Sequence, residues 1–355
     1  MPLAPIHGHT ALRERLRDAH ARGTLASSLL LQGPRGVGKQ QVALWLARLL
    51  LCEQPDRAPC GQCKSCRMAG EVQHPDLHWF FPRPRLKDSD PDLDDVREDI
   101  AEGIAERLAN GGLYGAPGGD EAIFVATVRA IVQTAVMSPA MGRRKVFVIG
   151  DAERMVAQEG SDQAANAFLK LLEEPPADTT IVLTSSEPGA LLPTIRSRVV
   201  CMRVAPLPDA DVRAFLRDPA VATRFTGAGD EAELARLAGG APGRLVDRES
   251  WEASLGHARR ILDAATSPDR GTRMRVALGQ GASGARGKFS DTLDALTVLL
   301  HERSRRAANQ GDESQALGAA KAIEVVEEAK ETATRNVNPQ LLTAALLVNI
   351  GALVR

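Results

Sequence analysis

Two groups of residues in this chain have the types and spacing for chemistry. The first is Gly33-Pro34-Arg35-Gly36-Val37-Gly38-Lys39-Gln40, which follows the phosphate-loop pattern G-x-x-x-x-G-K-[ST] as far as Lys39 and departs from it at Gln40. In such a loop, glycines let successive backbone N–H groups curl around phosphate oxygens, the lysine supplies a point charge, and the hydroxyl ligates Mg²⁺. Gln40 offers only an amide oxygen on a longer arm. Gly33, Gly36, Gly38, Lys39 and Gln40 are therefore read as a degenerate nucleotide-binding set; an ordinary strand-to-helix turn is the competing reading. The second group is Cys52, Cys60, Cys63 and Cys66, a C-x₇-C-x₂-C-x₂-C array. Two-residue gaps let neighbouring thiolates face one ion, and four sulfurs fill the tetrahedral shell of Zn²⁺ with no place for water. That is a structural zinc site, set against four reduced cysteines without metal. His74 and His78 lie close by and are read as structural histidines rather than substitute ligands.

These groups need elements to hold them. Leu12, Leu16 and Ala19 recur at helical spacing in 11–22, and the apolar run 28–32 reads as a strand feeding the loop. Beyond the loop, Val42, Leu46 and Leu50 form one helix face running to Cys52. Segment 83–120, with its prolines, the acidic run from Asp88 to Asp95 and a glycine cluster, reads as a surface insertion whose acidic part is a solvated loop. Residues 125–133 have a helical pattern, and 144–149 is a buried parallel strand ending in Gly150-Asp151-Ala152-Glu153. In a P-loop fold that strand should end in acidic residues that hold the metal and polarise water. With Gly150 at the first of those positions the metal-holding carboxylate is missing, and Asp151 remains as a site residue. A helix over 162–174 stops at Pro175-Pro176, and 179–183 is a β-branched strand. Strands alternating with helices predict an α/β core with a parallel sheet.

Composition narrows the class of protein. A length of 355 residues allows two or three domains. Lys+Arg 44 against Asp+Glu 45 gives a formal net charge of -1, so no bulk basic field announces nucleic acid. No apolar run approaches the ~20 residues of a membrane span. Four cysteines packed into fifteen positions favour metal ligation in a reducing compartment, and the expectation is a soluble, cytoplasmic protein without membrane contact.

The chain resembles the bacterial clamp-loader family of AAA+ proteins, in particular its delta prime branch. The residues that carry the resemblance are Gly33 to Lys39, the cysteine array followed by His74-Pro75-Asp76, Ala164-Ala-Asn-Ala-Phe-Leu-Lys-Leu-Leu-Glu-Glu-Pro-Pro176, Thr194-Ile-Arg-Ser-Arg198, and Arg335-Asn-Val-Asn338-Pro339 ahead of an apolar helix. The resemblance implies an AAA+ P-loop domain over 1–205 with a zinc module (52–66) and insertion (83–120), a helical lid over 206–263 and a helical collar for oligomerisation over 264–355. It implies a hetero-pentamer of clamp-loader subunits in the DNA polymerase III holoenzyme that loads a sliding clamp onto primed DNA. Arg198 would be an arginine finger reaching a neighbour's ATP, a role suited to a permanently charged forked guanidinium; Arg196 is the structural arginine of the pair. The family's catalytic subunits carry a lid arginine where this chain has Gly243, with Arg244 one step away.

Three functions compete. The leading one is a clamp-loader subunit that donates Arg198, binds ATP at most without hydrolysis, and leaves Mg²⁺ binding in doubt. The second is an active ATPase motor of the same group. The third is a zinc-stabilised DNA-binding module using Lys64 and Arg67.

Overall fold

A computed structural model of the chain describes residues 3–88, 91–118, 120–155, 162–226, 229–280, 288–333 and 337–354, with backbone only at 162–165 and 288. It divides into two compact units, Met1–Val246 and Asp247–Arg355.

In the first unit, α1 (Thr10–Ala21), β1 (Ser28–Gln32), α2 (Lys39–Leu51), α3 (Lys64–Gly70) and β2 (Leu77–Phe80) are followed by α4 (Leu93–Ala109), α5 (Val125–Val136) and β3 (Lys145–Ile149). Then come α6 (Asp162–Glu173), β4 (Thr179–Ser185), α7 (Pro193–Arg196), β5 (Val200–Arg203), α8 (Asp209–Arg217), α9 (Pro219–Ala222) and α10 (Glu231–Ala238). The five strands form one sheet in the order β2-β3-β4-β1-β5, with every neighbouring pair parallel. The expected α/β core with a parallel sheet is present.

Strand alternation builds two cores from one sheet. Successive side chains of a strand face opposite sides, so Leu29, Leu31, Val146, Val148 and Val182 join α2 in one cluster, while Leu30, Phe147, Ile149, Ile181 and Leu183 join α5 and α6 in the other. Covered on both faces, β3 and β4 are buried along their whole length. This is why they read as continuous apolar runs rather than alternating ones.

Segment 83–120 is not the solvated loop that its acidity suggests. Its acidic run begins a 17-residue helix: Asp92 accepts from the Asp94 and Asp95 N–H groups, and the Asp95 carboxylate accepts from the Asp92 N–H, a reciprocal capping box. Val96 and Ile100 of α4 then enter the second core cluster. Arg83 anchors the helix through Asp99 and Glu106, each at 3.0 Å. Ser89, Asp90 and Gly119 of this segment lie outside the described residues.

Buried charges fix two further turns. The Lys145 ammonium donates to the Ala135 carbonyl at 2.6 Å and to that of Met137, placing a cation at the C-terminal end of α5. The Asp76 carboxylate accepts from three successive N–H groups, Ala140, Met141 and Gly142.

The second unit contains α11 (Arg248–Thr266), α12 (Arg270–Leu278), α13 (Lys288–Asn309), α14 (Glu313–Ala333) and α15 (Pro339–Val354). The expected lid boundary at 263/264 and a linker over 264–268 do not match this division. α11 runs unbroken to Thr266, buries Trp251, Leu255, Ala258 and Ile261, and packs on α13 and α15, so it belongs to the C-terminal bundle. The rest of the stretch read as a lid, 206–246, lies in the first unit and buries Leu207, Val212, Phe215, Leu234 and Leu245 in one cluster. Arg335 and Asn336, part of the motif noted before the last helix, lie outside the described residues.

Candidate functional site

The candidate site lies beyond the carboxyl ends of the strands, where open parallel sheets hold ligands. β1 delivers Gly33, β3 delivers Gly150 and Asp151, and β4 delivers Ser186. The sequence-predicted nucleotide residues therefore lie in the segments that leave the carboxyl ends of β1 and β3, two interior strands of the sheet.

The loop after β1 closes on itself. Gly36 adopts φ +77°, which favours glycine, and its carbonyl accepts from the Gly243 N–H at 2.9 Å, so the backbone at Gly243 rests on the loop. The Lys39 ammonium donates to the carbonyls of Gly33 (3.0 Å) and Pro34 (2.9 Å) and to Ser186 Oγ (2.8 Å). It is 6% exposed, held inside the loop that would offer it to a phosphate. Arg244 is buried and donates to the Ala238 carbonyl at 3.4 Å.

Gln40 is 3% exposed and fully engaged. Its Nε2 donates to Asp151 Oδ2 at 3.0 Å, while Oε1 accepts from Trp79 Nε1 at 2.9 Å and from Arg107 Nη1 at 3.0 Å. Trp79 and Arg107 only donate, so the amide orientation follows from the network. The Arg107 guanidinium lies 3.4 Å from the Phe81 ring centroid and 3.8 Å from that of Tyr114, a buried cation on aromatic faces. Burial lowers its pKa from the ordinary arginine value. Asp151, in a left-handed conformation at φ 48°, donates its own N–H to Thr184 Oγ1 at 3.2 Å. Glu153 accepts from the Ser186 N–H at 2.9 Å, and burial, aided by the Asp151 charge, pushes its pKa up.

Trp79, Arg107 and Ser186 were not among the sequence candidates. Trp79 lies on β2, a strand too short to announce itself, and Arg107 on a segment read as an insertion, 67 positions from its partner Gln40. Serine after a buried strand is the one signal that sequence reading had available.

Arg198 lies two residues beyond the end of α7. Its Nε donates to Glu173 Oε2 at 3.0 Å and its Nη1 to the Thr194 carbonyl at 3.0 Å. The side chains of Arg198 and Glu173 are 29% and 56% exposed. Arg198 thus makes an ion pair with Glu173 on its own chain.

The four cysteines converge between the end of α2 and the start of α3. Their sulfurs all lie within 4.8 Å of one another, with Cys60 and Cys66 at 3.9 Å. Four Zn–S bonds of about 2.3 Å in a tetrahedron would set sulfurs about 3.8 Å apart, so the cluster fits a metal such as zinc. Backbone N–H groups of Cys60, Cys63 and Cys66 point at the sulfurs of Cys52, Cys60 and Cys63 at 3.3 to 3.5 Å. The N–H groups of Cys63 and Gln62 bring the Cys60 thiol down to about 6, whereas burial pushes that of Cys66 up. The two histidines are engaged elsewhere: His74 with Ser65 Oγ and the Asp76 N–H, and His78 stacked on Phe147.

A family model described as "DNA polymerase III, delta subunit" matches residues 8–208. DNA polymerase III subunit delta prime of Pseudomonas aeruginosa is 35% identical over 228 residues, 62% of this chain and 55% of the relative. The Escherichia coli delta prime subunit is 29% identical over 246 residues, 68% of this chain and 60% of the relative. The matches thus span little more than half the length of these relatives. A solved gamma-subunit-related DNA polymerase III protein from Thermotoga maritima aligns with 97% of this chain and 99% of its own at 20% identity and a TM-score of 0.38.

Proposed function

This chain belongs to the DNA polymerase III delta subunit family, and on that premise we propose that it is a clamp-loader subunit that acts by assembly rather than by its own ATP turnover. It joins sister subunits in a hetero-pentamer in the cytoplasm and helps to load a sliding clamp onto primed DNA, meeting clamp and DNA mainly through the complex. Arg198 is its contribution to chemistry, supplied to the ATP of a neighbouring subunit.

The observation that carries this reading is the setting of Arg198. Its guanidinium stands partly exposed, and its partner Glu173 is more exposed still. Exposed ion pairs contribute only about 0–1 kcal/mol, so Glu173 can hold the finger in place and still release it to a phosphate. The chain's own pocket lacks three parts of an ATPase, with Gln40 for a hydroxyl, Gly150 for a carboxylate and Gly243 for a lid arginine. ATP binding without hydrolysis is compatible with the loop. Cys52, Cys60, Cys63 and Cys66 hold a structural Zn²⁺, with no chemical step assigned to it.

The test is DNA-stimulated ATP hydrolysis by the reconstituted complex carrying Arg198→Ala. Arginine fingers contribute roughly 10³-fold or more to the site they serve. Loss of one site's turnover with assembly intact is expected; unchanged hydrolysis removes the finger assignment. Lys39→Ala is expected to leave turnover in place, and its loss there would favour an active motor subunit.

A further inference from the structure

Gln40 and Gly150 are two halves of one feature. A Cβ built on Gly150 would lie 2.3 Å from Gln40 Nε2 and 2.5 Å from both Cδ and Oε1. The carboxamide thus fills the volume that the first side chain after β3 would occupy. It cannot move aside without losing Asp151, Trp79 and Arg107, its partners on three other parts of the fold. Gly150 is not in the left-handed region, so its backbone does not require glycine; the neighbouring amide does.

The same contacts leave Gln40 unable to ligate a divalent cation. Mg²⁺ takes oxygen ligands in near-octahedral geometry, normally including the loop hydroxyl and a carboxylate after the adjacent strand. Here the oxygen of Gln40 has both lone pairs committed to N–H donors, and its nitrogen is itself a donor aimed at the carboxylate of Asp151. A fixed positive charge is present all the same. Arg107, from α4, is 8% exposed, lies between two aromatic rings and touches the Gln40 oxygen.

We infer that the Gln40 carboxamide and the Arg107 guanidinium together replace the divalent cation of this pocket. The loop Gly33–Lys39 would take a nucleoside triphosphate only as the metal-free anion. The segment 83–120 exists in part to carry Arg107 to this position. The inference rests on reading Gly33–Lys39 as a phosphate loop, but its test concerns the full chain alone and is independent of Arg198 in the complex.

The experiment is a double-mutant cycle in thermal unfolding midpoint, with Gln40→Thr, Gly150→Ala and the pair. Gly150→Ala in the parent chain is expected to lower the midpoint by on the order of 5 °C, because the added methyl overpacks against a fixed amide. In the Gln40→Thr background the same change should be neutral or slightly stabilising, as glycine-to-alanine changes are where φ and space permit. Since Gln40→Thr itself leaves Trp79 and Arg107 without an acceptor, the deciding quantity is the coupling between the two changes. In a second arm, the midpoint of the parent chain is measured with ATP in EDTA and with ATP plus MgCl₂. A shift in EDTA that shrinks when MgCl₂ converts the nucleotide to its metal complex is expected. The inference is overturned by a Gly150→Ala chain as stable as its parent, by additive effects in the cycle, or by an ATP-induced shift that is absent in EDTA or undiminished by Mg²⁺.

Discussion

His78 shows what burial does to a single ionisable group. Its imidazole stacks on Phe147 at 4.7 Å, and desolvation brings its pKa down to about 4 despite the opposing charge of Asp76. The folded value lies below the ordinary 6.5, so between the two the unfolded chain binds more protons. Stability is therefore fully present above about pH 6.5 and is lost as pH falls towards about 4, by on the order of 3 kcal/mol from this residue. Burial lowers His74 and His9 in the same direction. His78→Phe should flatten the difference between urea midpoints at about pH 7 and about pH 5; an unchanged difference would assign the dependence to the other histidines. At Gln40, by contrast, no titration is involved. One neutral amide serves three partners, and sequence alone could flag its mismatch with the P-loop pattern but not its reach to Arg107.

At the scale of elements, the cysteine module and α4 differ in how plainly they announce themselves. The cysteines fall within one short stretch, and their spacing dictates convergence once α3 begins at Lys64. Metal binding at such a site is coupled to local folding. Cys63→Ala, or a strong chelator, is expected to remove the metal and raise amide hydrogen exchange in α3 and the last turn of α2, while β1, β3 and β4 stay protected. A loss of protection spread over the whole sheet would show instead that the module supports the entire first unit. For α4 the sequence signals were ambiguous, because an aspartate cluster caps a helix as readily as it solvates a loop. Burial of Val96, Ile100 and Arg107 decided between them.

On the scale of the whole molecule, the second unit carries exposed apolar side chains on α15: Leu341 at 68% and Val348 at 60%, seven positions apart on one helix face. If this bundle holds the chain among sister subunits, Leu341→Asp with Val348→Asp should abolish co-elution with them in size-exclusion chromatography. The unfolding midpoint of the isolated chain should meanwhile remain close to that of the parent; co-elution that survives would place the assembly surface elsewhere. The sequence by itself determined the elements and motifs that depend on near neighbours: the strand–loop–helix around Lys39, the cysteine spacing, the apolar strands and the periodic helices. Tertiary structure alone decided which distant residues meet. It put α11 with the bundle, paired Arg198 with Glu173, and brought Trp79, Arg107 and Gly150 around Gln40. The physical reason is range: dihedral preference and periodicity act over a few residues, whereas side chains far apart in the chain are brought together only when the sheet and its helices close around a common core.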